Sequence, residues 1–441
     1  MSLDDKLKIL RKEREVRRRG QSGSVEAAWA RIDRDGDLSV KQKLEKLIHL
    51  TGPKTAAPRP APRFEPAPRE PIRIFENAYP LHAKYGRLSI ADGLEIRGEV
   101  LSTLSREGAF RELDLSSALI IDLETTGLAG GTGTVAFLVG MGFYRDGKFI
   151  VAQHFLGDLS EEERMISDLG RFFREMEFRS VVTYNGKAFD VPLLETRFIL
   201  HRQKYLLTEL PHLDFLFAAR SLWKHKHESC RLFHLAQQVV EAPRDEDIPS
   251  AEIPFRYFDY LRTGNFGLIE PILYHNQEDI LSLLGLVISG AQLFRDSCPA
   301  ELDESIDALD LIGVGRVLER AGETARSVEL FQRALAGKLP VEAARTLKHK
   351  LSSHFKKNAH WDKAVSLWQD LIETDPLLCY RELSKYYEHK VKDYAEARRY
   401  AEEGLAFAAG GGAGEERDFE RRIERLAAKA ARRTGPGSGT S

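Results

Sequence analysis

The sequence predicts an α/β mixed sheet with flanking helices, followed by an all-α region of helical repeats. Three observations carry this. Between about 110 and 292, short strand-like apolar runs give way to alternating strand and helix periods. An Asp-Gly turn makes the early strands a hairpin, so the sheet cannot be purely parallel. From about 303 the pattern is helical and returns with a period near 34.

Residues 1–75 form a basic amino-terminal arm with 18 Lys+Arg against 11 Asp+Glu, a net of +7; with −2 for the whole chain, the remainder carries −9. A basic arm on an acidic body suits nucleic-acid binding, and a merely solvated arm explains the charge equally well. Within it, Ser39-Val40-Lys41-Gln42 has the form of a capping box opening a short helix through Leu44, Leu47 and Ile48. Seven of the 18 prolines fall between Pro53 and Pro71, which makes a semi-rigid extended linker.

The second region, 76–295, holds the sheet. Ser117 to Asp122 is a short apolar run ending in acidic residues, as a buried strand would be. Val135 to Gly142 and Phe149 to Phe155 flank Arg145-Asp146-Gly147-Lys148, a hairpin signal. Ser160-Glu161-Glu162-Glu163 reads as a second capping box, before a helix with Leu169, Phe172, Phe173 and Met176 on one face. Ser180 to Tyr184 is a further strand, and a helix follows to about His201. Ser297-Cys298-Pro299 marks a break, and 303–408 is the helical-repeat region. There Ser327, Ala364 and Ala397 occupy equivalent positions, 37 and 33 residues apart, each near an aromatic residue. Residues 409–441 are a glycine-rich, charged and partly disordered tail with room for one helix.

Composition excludes several classes. Hydrophobic residues at 42% and charged residues at 30% describe an ordinary globular chain. The runs Thr134–Phe143 and Leu283–Phe294 fall short of the roughly 18 residues a membrane span needs. No apolar segment follows Met1-Ser2-Leu3-Asp4-Asp5, so no secretory signal is visible. Three cysteines (Cys230, Cys298 and Cys379), odd in number and far apart, suit neither a disulfide framework nor a cysteine-rich zinc site. The expectation is a cytoplasmic protein away from membranes.

Three segments are candidates for chemistry. In Ile120-Ile121-Asp122-Leu123-Glu124-Thr125-Thr126-Gly127, residues two apart on a strand share a face, so Asp122 and Glu124 present paired carboxylates. Like charges at the end of an apolar strand repel and are costly to desolvate, which divalent cations would offset. In Tyr184-Asn185-Gly186-Lys187-Ala188-Phe189-Asp190, a strand enters a turn and Asp190 opens the next helix, where a cap is the ordinary explanation. In His275-Asn276-Gln277-Glu278-Asp279, His275 and Asp279 lie four apart on one helix face, the spacing of an ordinary structural pair.

The order of these segments resembles the DEDD exonucleases of the ribonuclease H-like superfamily. Asn185-Gly186-Lys187-Ala188-Phe189-Asp190 is similar to an element of the proofreading domain of family-B DNA polymerases. The resemblance is closer to the bacterial YprB-type group of ribonuclease H-like proteins, through Thr126-Gly127-Leu128, Pro192 to Arg197, Asp247-Ile248-Pro249, His275-Asn276 and Asp279 to Leu283. It implies a ribonuclease H-like sheet and two-metal phosphodiester hydrolysis, with Asp122, Glu124, Asp190 and Asp279 holding two Mg²⁺ or Mn²⁺ ions. It implies catalytic roles for these four and a water-orienting His or Tyr. His275 is favoured over Tyr274 because its unperturbed pKa near 6.5 suits a base; the two residue types are exchanged relative to both known subgroups. Thr125, Thr126, Gly127, Asn185, Phe189 and Tyr274 would contact substrate. The helical region resembles tetratricopeptide-like hairpins, which offer a surface for a protein partner; an unrelated bundle is the alternative.

Four features are weighed against simpler explanations. Gly127 to Gly133 lacks the Lys-Ser/Thr of a phosphate loop, so a tight turn near the metals suits it better. Asp33 to Val40 is similar to the start of a calcium loop, but Leu38 and Leu44 stand where Gly and Glu are required. Arg220, Lys224, Lys226 and Arg231 can be phosphate contacts or a solvated helix face. Asp214 is a helix cap or a further site carboxylate. The function expected is a metal-dependent nuclease, a 3′→5′ exonuclease on single-stranded DNA or RNA. The alternatives are a structure-specific endonuclease on the same fold and a non-catalytic nucleic-acid-binding scaffold.

Overall fold

The Asp146-Gly147 turn seeds the sheet: both residues have positive φ, 50° and 69°, the geometry of a two-residue turn that twists with its strands. It joins two of the strands in this computed structural model, which describes residues 72–127, 133–244, 247–297, 306–408 and 413–434. The capping box at Ser39, the proline linker, the calcium-like segment 33–40, residues 128–132, Cys298-Pro299 and the tail's glycine-rich ends lie outside the described residues.

The main sheet contains β1 (Ile72–Pro80), β4 (Ala118–Thr125), β5 (Ala136–Arg145), β6 (Lys148–Leu156), β7 (Ser180–Thr183) and β8 (His212–Asp214), in the order β1-β6-β5-β4-β7-β8. β2 (Lys84–Tyr85) and β3 (Leu88–Ser89) form a separate small ladder. β1, β6, β5 and β4 run antiparallel, whereas β7 and β8 add in parallel to β4. The sheet is therefore mixed, as expected. Its first strand opens at Ile72 and pairs along its length with β6, so the end of the arm belongs to the sheet.

Two hydrophobic clusters sandwich it. Leu119, Ile121 and Leu123 of β4 point to one, with α2 (Glu162–Met176), α3 (Asp190–Leu200) and α6 (Ile253–Thr263). Ala118 and Ile120 point to the other, with α1 (Gly98–Ser105), α4 (Phe215–Trp223) and α7 (Glu270–Ser297). The expected capping box at Ser160 does not form. Asp158 accepts the Ser160 amide and hydroxyl, and α2 starts one turn later at Glu162. Asp158 sits two residues earlier, where a short side chain reaches the orphan amide first. α7 is long and apolar enough to cross a membrane, but 78% of its most apolar stretch is buried against protein, marking a core helix.

Seven helices follow α5 (Leu232–Leu235), α6 and α7 in the carboxyl part: α8 (Ala308–Arg320), α9 (Thr324–Ala336), α10 (Val341–Lys357), α11 (Trp361–Asp370), α12 (Pro376–Tyr386), α13 (Tyr394–Ala408) and α14 (Ala413–Thr434). Ser327, Ala364 and Ala397 are all buried. Separate cores on either side of residue 297 do not follow. One hydrophobic cluster runs from α1 and α7 through Leu311 and Phe331 to Leu426. At the junction, a side chain on Gly313 would stand 2.3 Å from the Leu222 carbonyl, so α8 and α4 meet backbone to backbone. His225 Nε2 donates to the Leu309 carbonyl at 2.6 Å, and Arg320 reaches the Phe217 carbonyl at 2.7 Å.

Candidate active site

Because successive side chains on β4 alternate, Asp122 and Glu124 follow Ile120 onto the face covered by α7. Opposite Asp122 in register stands Gly140, and opposite Gly140 stands Gln153. A Cβ at Gly140 would lie 2.0 Å from Asn276 Oδ1, so the glycine is what lets Asn276 of α7 lie across the sheet. Asn276 Nδ2 donates to Asp122 Oδ2 at 2.9 Å, and its Oδ1 accepts from Gln153 Nε2 at 2.9 Å. Gln153 also donates to the Leu273 carbonyl at 2.8 Å, which ties this chain to the start of α7.

Asp190 is brought in by the turn after β7. Asn185 there has φ 71°, and the turn is held by Asp214, which accepts the Asn185 amide at 2.7 Å and the Lys187 amide at 3.1 Å. Asp214 also accepts the Leu216 amide at 3.2 Å, so it caps α4 and clamps the turn at once. Asp190 then begins α3, close enough to β4 for the Leu123 backbone to favour its charged form.

α7 supplies the third part. His275 and Asp279 lie one turn apart, and His275 Nε2 stands 3.5 Å from Asp279 Oδ2 and 3.8 Å from Glu124 Oε1. On the other side of the ring, Nδ1 donates to Asp247 Oδ1 at 2.7 Å. Arg244 completes the network: Nη1 lies 2.5 Å from Asp279 Oδ1 and Nη2 lies 2.8 Å from Asp247 Oδ2.

The electrostatics follow from burial of many acids together. Desolvation, then the charges of Asp279, Glu124 and Asp190, raise Asp122 well above the carboxylate range, against the Asn276 hydrogen bond. Burial pushes Glu124 up to about 8 despite the pull of His275, with Asp279 and Asp190 adding to the rise. Burial lifts Asp190 to about 7, countered by amide hydrogen bonds from itself and Leu123. Burial draws the His275 ring down, but the Asp247 hydrogen bond and the Asp279, Glu124 and Asp247 charges outweigh it and leave the ring above its ordinary value. Burial raises Asp247, yet His275 and Arg244 hold it below the usual range.

The structure thus brings together Asp122, Glu124, Asp190, His275 and Asp279. Tyr274 is 37% exposed, while His275 is buried in the network. Thr125 and Thr126 both hydrogen-bond within the turn that follows β4. Thr125 Oγ1 donates to the Gly127 carbonyl at 2.9 Å, and Thr126 Oγ1 accepts the Val135 amide at 3.0 Å. Phe189 is 59% exposed beside Asp190. Asn185 joins Arg220, Lys224, Arg231 and Phe233 along an open cleft of about 1080 Å³ that ends at His275 and Asp279. Lys226 does not belong there, since it bridges Asp307 and Asp310 at 2.8 Å each.

Sequence reasoning missed Gly140, Gln153 and Arg244. Gly140 and Gln153 each interrupt an apolar strand, a signal of close approach or a buried polar partner. Arg244, three residues before Asp247, carries no comparable local signal.

The donor set fits divalent metal. All four carboxylates supply hard oxygen atoms, which suit Mg²⁺ or Mn²⁺. Burial and mutual repulsion leave Asp122, Glu124 and Asp190 resisting ionisation, a cost that cations would remove. Among the described residues, no three His, Cys, Asp or Glu side chains stand in closed coordination geometry.

Residues 119–289 match the family model described as the RNase_H superfamily, so this stretch, with its carboxylates, is a domain of that superfamily. The match spans β4 through most of α7, the elements that carry all four acids. Over a longer stretch, the uncharacterized protein YprB of Bacillus subtilis (strain 168) is 31% identical across 346 residues, covering 76% of this chain and 81% of YprB. The chain belongs to the YprB family. The family B DNA polymerase from the hyperthermophilic archaeon Pyrobaculum calidifontis is a weak structural likeness, with 16% identity and a TM-score of 0.33 over 48% of this chain. It matches over 28% of the polymerase, so the chain spans little more than a quarter of that protein's length.

Proposed function

We propose that the protein is a metal-dependent phosphodiester hydrolase acting as a 3′→5′ exonuclease on single-stranded nucleic acid. The observation that supports this best is the convergence of Asp122, Glu124, Asp190 and Asp279, with His275 beside Glu124 and Asp279, next to an open, partly basic cleft that His275 and Asp279 line. The preference for 3′ ends rests on the likeness of the motif order to the DEDD exonucleases.

Bound Mg²⁺ or Mn²⁺ would supply activation of the attacking water and charge neutralisation at the leaving oxygen. Asp122, Glu124, Asp190 and Asp279 would hold them. Asn276 fixes the orientation of the Asp122 carboxylate through its 2.9 Å hydrogen bond. With Nδ1–H on Asp247, the His275 ring keeps the tautomer whose Nε2 faces the carboxylates and can take a proton from water. Asp247 then stabilises the imidazolium that forms. Arg220, Lys224 and Arg231 meet the phosphates of the strand in the cleft, and Phe233 offers a ring on which a base stacks. The carboxyl helices present exposed apolar side chains such as Val341 and Phe407, and are assigned to a protein partner. Free Cys230 and Cys379 agree with a cytoplasmic setting.

The test uses 5′-labelled linear and circular single strands of DNA and RNA, with Mg²⁺ or with EDTA. Stepwise shortening of linear strands in Mg²⁺, with circles intact and no cleavage in EDTA, is the expected result. Cleaved circles would make the enzyme an endonuclease. Binding without cleavage in any metal would leave a nucleic-acid scaffold.

A further inference from the structure

Arg244 pairs with Asp279, one of the four carboxylates proposed to hold metal. Its side chain is fully shielded from solvent, with Nη1 on Asp279 and Nη2 on Asp247 and on the His275 carbonyl at 3.3 Å. The Phe233 ring covers it, with 5.3 Å between the guanidinium carbon and the ring centroid. Its Nε, equally buried, finds no hydrogen-bond partner among the described residues. A buried guanidinium with one unsatisfied donor is poised to be rearranged.

The four acids are not treated alike. Asp279 has Arg244 on Oδ1 and His275 near Oδ2, whereas no Lys or Arg among the described residues pairs with Asp122, Glu124 or Asp190. Arg244 thus compensates one carboxylate of the group and leaves the other three without a Lys or Arg partner among the described residues.

We propose that Arg244 is a resident counter-ion that competes with divalent metal for Asp279. In the metal-free protein it neutralises Asp279; when metal takes that carboxylate, Arg244 keeps Asp247 and turns its released N–H groups to the cleft it lines. There it can donate to a phosphate of the substrate. Arg244 is then a positioning residue that couples release of Asp279 to capture of the strand. The inference rests on the metal-dependent reading above.

The ordinary alternative makes Arg244 an outer support that holds Asp279 ready for metal. Removing such a support lowers metal affinity, typically by about 10–100-fold. Competition requires the opposite sign. The experiment titrates Mn²⁺ into the full chain and follows the electron paramagnetic resonance of free Mn²⁺, with no substrate and no activity readout. Under competition, Arg244→Gln binds Mn²⁺ about tenfold more tightly than wild type, since a nearby positive charge has gone. In an Asp279→Asn background the same substitution brings no gain, because the contested carboxylate is absent. Unchanged or weaker binding by Arg244→Gln, beside normal binding by wild type, overturns the competition alone. No saturable Mn²⁺ binding by wild type overturns the metal-dependent reading itself.

Should Arg244→Gln fail to fold, wild type answers the question by guanidinium N–H exchange of Arg244. Added Mg²⁺ accelerates that exchange if Arg244 leaves Asp279. Exchange that stays equally slow overturns the proposal.

Discussion

Asp122 is the residue on which most of the site converges, since Asn276 orients it and Glu124, Asp190 and Asp279 repel it. Asp122→Asn removes a buried negative charge while keeping the shape. The variant should lose Mn²⁺ affinity, and without metal it should melt at a higher temperature than wild type, as differential scanning calorimetry would show. His275 and Tyr274 separate by the same reasoning. Help from a general base is typically worth about 10²–10⁴-fold, so His275→Ala should cut turnover by about that factor while Mn²⁺ still binds. Tyr274→Phe should change turnover little, and the reverse ranking would move the base to Tyr274. Asp122 and Glu124 were legible because residues two apart at the end of an apolar strand share a face, whereas Asp190 and Asp279 were legible only through the resemblance of the motif order to the DEDD exonucleases. Arg244 was not, because its partners lie 3 and 35 residues away and only the fold brings them together.

At the level of elements, the row Asp122–Gly140–Gln153 under Asn276 joins the sheet to α7. Gly140→Ala drives a methyl group into Asn276 and should cost about 1–3 kcal/mol by chemical denaturation. Mn²⁺ affinity should fall with it, and a Gly140→Ala protein with normal stability and affinity would show that Asn276 is dispensable. The carboxyl helices carry their own electrostatic fastening. Glu388, after α12, is fully shielded; burial works against its charge, but Arg425 at 2.7 Å and Lys429 at 2.8 Å hold it at about 2. A depressed carboxylate stabilises the fold above its unfolded pKa near 4.5 and loses that contribution as pH falls toward 2. That shift corresponds to about 3 kcal/mol. Glu388→Gln should therefore melt earlier than wild type at pH 7, with the gap narrowing between pH 5 and about pH 2. The hairpin at Asp146-Gly147 was legible from two residues, since that turn demands positive φ at both. The cap at Asp158 was not, because Ser160 satisfied the same spacing rule and only the backbone path decided between them.

Over the whole molecule, the division between sheet and helices is one of sequence and not of core. Period and composition put the change to helices near residue 303, whereas the last described strand ends at Asp214 and every described element after it is helical. They carried no sign that Gly313 would bring α8 against the Leu222 carbonyl, because backbone contact between distant elements leaves no periodic trace. A fragment ending at Ser297 would bare the α4 surface that α8 covers and lose the His225–Leu309 and Arg320–Phe217 hydrogen bonds. It should unfold at lower temperature than the full chain, while a fragment ending at Ala336 keeps α8 and α9 and should be the more stable of the two. Equal melting temperatures for the two fragments would show that α8 is no part of the domain's support.

Metal-dependent hydrolysis by the four carboxylates is the central claim, and one comparison reaches it directly. Wild type and Asp122→Asn, each shown to be folded by circular dichroism, are incubated with a 5′-labelled single strand in Mg²⁺ and sampled over time. Stepwise shortening by wild type and an intact strand with Asp122→Asn is the result predicted. Shortening at near-wild-type rate by Asp122→Asn would contradict the assignment of the site.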